Sequence, residues 1–243
     1  MDIFGDLAAE EDRLEGILAG LDAAQWAAPS GAAGWSVCDV VLHLAQSEES
    51  VLATARGAGI GQRPPPGTSV DAVMDQLVRS QRAAPADVFG RWQLARTAAL
   101  EALLAADPGQ PLAWVDAPLK PATLATTRLA EHWAHGLDIT GPFGIEFPDT
   151  GRLRHIAWLA YRSLGYAFRL AGQEPHQVRG DLTAPGGAGR WQFGPADAES
   201  VISGPAGAFC RVAARRLAPE RSGLTASGPH ADAALHLLRT YAA

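Results

Sequence analysis

The chain has 243 residues, of which 47% are hydrophobic and 19% charged, a composition typical of a globular protein with a substantial core. Its formal net charge of −6 argues against a nucleic-acid partner, because binding phosphates requires clustered lysines and arginines. The N-terminus carries early acidic residues, and no apolar run approaches the length of a membrane span, so we expect neither a signal peptide nor a membrane partner. Two distant cysteines indicate a reducing, cytoplasmic compartment without a disulfide framework.

The first half of the chain predicts helices separated by loops rich in glycine and proline. A capping-box pattern, Ser36 followed by Asp39 three residues later, opens one of these helices, which extends to about Arg56. The connections over 22–36 and 57–69 contain clustered Gly and Pro and predict loops. Apolar residues recur at helical spacing over 6–21, 36–56, 69–82 and 86–106.

The second half begins with two more predicted helices, over about 122–139 and 150–171. The pattern then changes: "VRGDLTA" and "GRWQFG" alternate apolar and polar residues around Pro185–Gly189, as in a hairpin, and "ESVISG" predicts a third strand. "GPAGAFCRVAARRL" and "PHADAALHLLRTYA" predict helices. We therefore expect a helical domain over 1–172 and a small α+β domain over 178–243.

The stretch "RLAEHWAHGLDI", residues 128–139, concentrates polar groups on an otherwise apolar helix. Glu131 and His135 are four residues apart and share a helix face, whereas His132 points elsewhere and Asp138 lies nearer to that face. A carboxylate and an imidazole one turn apart form half of a metal site, and His43, on a mid-helix apolar segment, is the best candidate for a third ligand. The spacing alone equally fits ordinary hydrogen-bonded side chains of a buried helix.

The segment "GWSVCDVVLHLAQSEES" resembles the second helix of DinB-like bundles, especially the mycothiol-dependent maleylpyruvate isomerase group. "RLAEHWAHGLDI" is similar to a later helix of that group, and "RWQFGPADAESVISGPAGAFCRVAARR" to its C-terminal domain. The resemblance covers nearly the whole chain and is nearest to an actinobacterial metal-binding branch. It implies a DinB-like helical bundle followed by a small α+β domain, with metal ligands His43, Glu131 and His135.

The resemblance also implies a divalent transition metal, with zinc favoured over nickel or iron, and mycothiol as a cosubstrate. Two histidines and one glutamate leave coordination positions open, as in catalytic zinc sites. We expect an enzyme that isomerises, or adds a thiol to, a small conjugated or carboxylated molecule. The alternatives are a thiol-independent Lewis-acid enzyme for cyclisation, elimination or hydrolysis, and a non-catalytic metal- or ligand-binding protein. We expect a monomer or a homodimer.

Four further residues are expected to have structural roles outside the ligand set. Asp39, one turn before His43, is expected to cap its helix with Ser36 rather than to orient the imidazole. His132 is expected to lie outside the metal ligand set. Cys38 and Cys210 are expected to be small packed residues rather than nucleophiles.

Large aromatic and basic residues complete the predictions. Trp35 and Trp133 are expected to pack in the interior rather than to line a binding site. Arg211, in the C-terminal segment, is the preferred candidate for holding a substrate carboxylate, since a guanidinium binds carboxylates through two hydrogen bonds. A solvated surface arginine is the alternative there.

Overall fold

The computed structural model describes residues 2–59, 69–115 and 117–240, and the chain divides into two compact units. The first unit extends to Phe147, and the second begins at Pro148. Most of the loop predicted over 57–69 lies outside the described residues. Within the described ranges, no helix is both long and apolar enough to span a membrane.

Helices make up most of the described part of the first unit. α3 begins where it was predicted to, because the Ser36 side chain accepts from the Asp39 N–H and the Asp39 carboxylate accepts from the Ser36 N–H. The helices are α1 (Ile3–Ala19), α2 (Ala23–Ala27), α3 (Val37–Ala55), α4 (Val70–Ser80), α5 (Pro85–Ala105) and α6 (Pro121–Thr140).

The short helix α2 corrects the prediction of a continuous loop over 22–36. A second capping box starts it, formed by Asp22 and Gln25, and Trp26 is its buried residue. Five residues are too few to show the helical periodicity on which the prediction depended, so the loop assignment was wrong there.

The helices of the first unit bury a shared apolar core. α3 packs mainly against α5, and α1 against α6. Burying a leucine- or valine-sized side chain contributes about 1.5–3 kcal/mol, so this cluster is a main source of the unit's stability. It includes Leu14, Leu18, Trp26, Val40, Val41, Leu44, Trp92 and Ile139. α3 and α6, which carry the predicted metal ligands, are therefore held rigidly on both flanks.

The second unit combines three helices with a four-stranded sheet in the described part of the chain. The helices are α7 (Leu153–Leu170), α8 (Ala206–Ala213) and α9 (Ala231–Leu237). The strands are β1 (Val178–Thr183), β2 (Arg190–Phe193), β3 (Ser200–Pro205) and β4 (Thr225–Ser227). α7 packs against α8 and α9 in this unit. The predicted fold, a helical bundle followed by a small α+β portion, is confirmed.

The sheet has the strand order β2-β1-β3-β4. β1 and β2 form the predicted antiparallel hairpin, with Gly180 opposite Phe193. β3 lies parallel to β1, a pairing that alternation alone does not specify, and β4 was not predicted because it has three residues. The domain ranges 1–172 and 178–243 stay a prediction.

Candidate metal centre

α3 and α6 bring the three predicted ligands to one place. Nε2 of His43 lies 3.7 Å from Oε2 of Glu131, and Nε2 of His135 lies 3.5 Å from the same oxygen. All three ligand atoms are within 4.8 Å of one another. Zinc bonds of about 2.0–2.2 Å to nitrogen and oxygen require ligand atoms this close, so two imidazoles and a carboxylate fit a divalent transition metal.

The three side chains differ in their exposure to solvent. The His43 and His135 side chains are 12% and 10% exposed, whereas that of Glu131 is 27% exposed. The imidazoles therefore lie against protein, and the carboxylate lies at the accessible side. Of the three side chains, that of Glu131 is the most open to solvent.

Asp138 holds the imidazole of His135 from behind. Its Oδ2 lies 2.9 Å from Nδ1 of His135, and Asp138 itself is 4% exposed. Nδ1–H donates to this carboxylate, so Nε2 is the ring nitrogen directed at Glu131. The sequence analysis placed Asp138 near the Glu131 face but assigned it no role. Its position three residues after His135, about one helical turn away, was the signal that could have predicted this contact.

Asp39 acts as a cap, as predicted, and does not orient His43. One of its oxygens accepts from the Ser36 N–H at 3.0 Å, and Arg82 binds both oxygens at 2.8 and 2.9 Å. Nδ1 of His43 is buried without a hydrogen-bond partner among the described residues. A carboxylate therefore holds Nδ1 of His135, whereas Nδ1 of His43 has no such support in the described part of the chain.

The surroundings of the cluster shift the pKa of each of its three members. Burial pushes the pKa of Glu131 upward, but hydrogen bonds from His135 and His43 and the charge of Arg128 hold this pKa well below its usual value. Burial lowers the pKa of His43. Burial also opposes charge on His135, but Asp138 and Glu131 raise its pKa overall. Glu131 is therefore an anion and His43 is neutral at pH 7.

A second group of two carboxylates and a histidine lies nearby: Glu11 on α1, Glu48 on α3 and His132 on α6. Their ligand atoms are also within 4.8 Å of one another. However, Nδ1–H of His132 donates to the carbonyl of Arg128 at 2.9 Å, and Nε2 accepts from the Trp92 indole N–H at 3.1 Å. Both ring nitrogens are occupied, which agrees with the prediction that His132 is not a ligand of the first cluster.

Positive charge is already present inside this second cluster. Nε of Arg128 lies 2.7 Å from Oε1 of Glu48, with side chains 4% and 1% exposed. Burial and the charge of Glu48 raise the pKa of Glu11 to about 9, and burial and Arg128 lower the pKa of His132 to about 3. Glu11 and Glu48 were not predicted as a cluster, because their meeting depends on how α1, α3 and α6 pack.

The two tryptophans named in the sequence analysis have different surroundings. Trp133 is 1% exposed and packs in the interior, as predicted. The ring of Trp35, by contrast, has its centroid 5.1 Å from that of His43 and 6.4 Å from that of His135. Trp35 also packs, partly buried, against the apolar core of the first unit, so it contacts both the core and the two histidines.

The remaining candidates from the sequence are Arg211 and the two cysteines. Both terminal nitrogens of Arg211 bind Asp149, at 2.9 and 2.8 Å, within the second unit, and a role in substrate binding stays a prediction. Cys38 and Cys210 are free thiols. Burial raises the pKa of both, that of Cys38 to about 11, which agrees with the expectation that neither is a nucleophile.

Comparisons of this chain with known proteins agree on one family. Residues 7–140 match the family model for the mycothiol maleylpyruvate isomerase N-terminal domain. Uncharacterized proteins of Mycobacterium tuberculosis strains H37Rv and CDC 1551 are 34% identical over 244 residues, which covers 98% of this chain and 94% of each relative.

Crystal structures of the mycothiol-dependent maleylpyruvate isomerase have the same fold. The enzyme and its histidine-to-alanine variant align with TM-scores of 0.63 and 0.64, covering 93% of this chain and 95% of theirs. The sequence identity is 16%, so this likeness shows the fold alone.

Proposed function

The chain belongs to the mycothiol maleylpyruvate isomerase N-terminal domain family, and from this membership we propose that it is a metal-dependent enzyme for a small conjugated or carboxylated molecule. The proposed reaction is an isomerisation or a thiol addition, with mycothiol as the thiol. The observation that carries the proposal is the convergence of His43 Nε2, His135 Nε2 and Glu131 Oε2 on one point.

The ligand set supports a catalytic rather than a structural metal. Structural zinc sites are closed by four protein ligands, whereas catalytic sites have three and keep a position open. His43, Glu131 and His135 supply three, and the Glu131 side chain is 27% exposed. We propose zinc, with nickel or iron as alternatives, since imidazole and carboxylate ligands suit all three.

A metal ion held by these residues would lower the pKa of a coordinated thiol and so supply a thiolate at neutral pH. The protein's own contribution is to orient the ligand side chains and to keep their carboxylate in the protonation state that binds a cation. Asp138 fixes the ring of His135, and the Glu131 carboxylate stays ionised. The chain's own thiols do not replace a cosubstrate, because burial raises the pKa of Cys38 and Cys210. This favours an external thiol such as mycothiol.

The first test is elemental analysis of the purified protein beside Glu131→Ala, with His132→Ala as the matched control one residue along. We expect near-stoichiometric transition metal in the wild type and in His132→Ala, and its loss in Glu131→Ala. Absence of metal from the wild type even after reconstitution with zinc, nickel or ferrous iron would remove the basis of the enzyme proposal.

The second test separates the thiol-dependent function from its alternatives. The reconstituted protein is incubated with maleylpyruvate, with and without mycothiol, and the substrate, its trans isomer and any thiol adduct are separated and quantified by liquid chromatography. We expect turnover only when both metal and mycothiol are present. Turnover without thiol would instead support a Lewis-acid enzyme, and tight metal binding without turnover of any conjugated acid would support a non-catalytic binding protein.

A further inference from the structure

The segment 28–36, which we call the Trp35 loop, is closed on itself just before α3. The Val37 N–H donates to the Ala28 carbonyl at 3.0 Å, and both the N–H and the hydroxyl of Ser30 donate to the Trp35 carbonyl at 2.9 Å. Backbone groups paired in this way restrict the loop to one conformation. The position of Trp35 is therefore fixed by its own loop.

The same loop is attached to α6 at the residue that holds His135. The Gly31 N–H donates to the Asp138 carbonyl at 2.7 Å. A Cβ on Gly31 would lie 3.0 Å from the Asp138 Cα, so the close approach requires a glycine. The loop and the support of one candidate ligand are thus in direct contact.

α4 holds the outer edge of the indole. The Trp35 Nε1–H donates to Oδ1 of Asp75 at 3.0 Å, while Oδ2 of Asp75 accepts from Nε of Arg79 at 2.7 Å. The indole is therefore fixed at its backbone by the loop and at its far edge by an ionised carboxylate.

Trp35, His43 and His135 form a triangle of rings. Their centroids are 5.1 Å apart for Trp35 and His43, 6.4 Å for Trp35 and His135, and 5.1 Å for the two imidazoles. The indole is inclined by 27° to the ring of His135 and by 48° to that of His43. The aromatic ring thus covers the two imidazoles on one side.

We propose that Trp35 is a positioning residue of the metal centre, whose indole is a fixed wall that keeps extra ligands away and confines their entry to the side of Glu131. This inference rests on the proposed function, since it assigns Trp35 a role toward the proposed metal. The wall holds the two imidazoles at their mutual angle and keeps water from one side of the coordination sphere. A low coordination number with one accessible position follows, which suits a single small thiolate or carboxylate.

The test uses cobalt(II), whose visible absorption weakens when a fifth or sixth ligand joins a four-coordinate site. Trp35→Ala removes the wall, Trp35→Phe keeps an aromatic ring, and Asp75→Ala removes only the attachment of the indole. Trp158→Ala, at an exposed tryptophan of α7, is the matched control. Affinity for cobalt is measured by competition with a chromophoric chelator.

We expect Trp35→Ala to weaken the cobalt absorption and to lower the affinity about tenfold, the low end of the effects seen for residues that support metal ligands. Asp75→Ala should change both in the same direction but less. Trp35→Phe should restore most of the wild-type spectrum, and Trp158→Ala should match the wild type.

The outcomes separate this inference from the function on which it rests. A wild-type protein that binds no cobalt overturns both. Normal cobalt binding in the wild type, with the same spectrum and affinity in Trp35→Ala and Asp75→Ala, overturns the wall alone. If Trp35→Ala does not fold, Asp75→Ala and Trp35→Phe still decide: the wall requires that Asp75→Ala alter the spectrum.

Discussion

His132 and His135 lie three residues apart on α6, and each faces a different cluster of carboxylates. In both clusters the histidine and carboxylate atoms lie within 4.8 Å of one another. His132 has both ring nitrogens in hydrogen bonds, to Arg128 and Trp92. His135 has one nitrogen held by Asp138 and the other directed at Glu131. Both clusters bring the same residue types together, so what makes only the cluster of His135 a candidate metal site is that the second ring nitrogen of His132 is already hydrogen-bonded.

The two clusters also differ in the charge that they already contain. In the cluster of Glu11, Glu48 and His132, the buried guanidinium of Arg128 compensates the Glu48 carboxylate. In the other cluster, the Glu131 carboxylate lies 3.7 and 3.5 Å from the imidazoles of His43 and His135, and Arg128 acts on it only through its charge. A buried anion needs a counter-charge, and Arg128 supplies it in the first case. A metal ion would supply it in the second.

The largest expected difference between the clusters is in metal content. His43→Ala and His135→Ala should each lose nearly all bound metal, because two remaining ligands rarely hold a transition metal against water. His132→Ala should retain it, since neither ring nitrogen of His132 is available to a metal. Elemental analysis after dialysis measures this, with thermal melting as a check on folding. Metal retained in His43→Ala would show that the site is wrongly assigned.

The second difference is in stability. Arg128→Met should lower the free energy of unfolding by about 3–5 kcal/mol, because it leaves the Glu48 carboxylate buried without its partner. The double variant Arg128→Met with Glu48→Met should recover most of that loss, since no buried charge remains. Urea denaturation of the metal-free proteins measures both. A double variant as unstable as the single one would contradict the ion-pair explanation.

The third expected effect concerns support of the metal site. Asp138→Asn should lower metal affinity about 10- to 100-fold, because an amide holds the His135 Nδ1–H less strongly than a carboxylate does. The matched control is Asp39→Asn, whose carboxylate caps α3 and binds Arg82 instead. Chelator competition at one pH measures both variants. Equal losses of affinity would mean that Asp138 acts through helix stability alone.

The sequence predicted the parts of this comparison that depend on local patterns. The capping box at Ser36 and Asp39 fixed the start of α3, and the spacing of Glu131 and His135 put both on one helix face. His43 was the best candidate for a third ligand from its apolar helical segment, and the family resemblance implied the same residue. These signals lie within single helices, so they can be recognised without knowing how the helices pack.

The parts that were missed depend on packing between elements. Glu11 and Glu48 lie on helices far apart in the sequence, and neither has a neighbour in the chain that marks it as buried. Trp35 lies in a loop, where no periodicity shows which way a side chain points. The parallel pairing of β1 with β3 likewise follows from long-range contacts, not from alternation within either strand.

The fourth expected effect is a change in the pH dependence of stability at the second cluster. Burial and Glu48 raise the pKa of Glu11 from 4.5 to about 9 in the folded protein, so the folded state binds this proton more tightly than the unfolded state. The stability from this proton is fully present below pH 4.5 and is lost as the pH rises through about 9. The free energy of unfolding should therefore fall across that window, by at most about 1.4 kcal/mol per pH unit.

Glu11→Gln replaces the protonated carboxyl with a neutral group of the same shape, so it should remove this slope and leave the protein more stable than the wild type at pH 8. At pH 4.5 the two should be nearly equal, because Glu11 is then protonated in the folded state. Urea titrations of the metal-free proteins between pH 4.5 and pH 9 measure the difference. Glu15→Gln is the matched control, since Glu15 lies one turn further along α1 with a side chain 31% exposed. A wild-type slope that persists in Glu11→Gln would mean that a group other than Glu11 takes up the proton across this window, and the assignment of the raised pKa to Glu11 would fail.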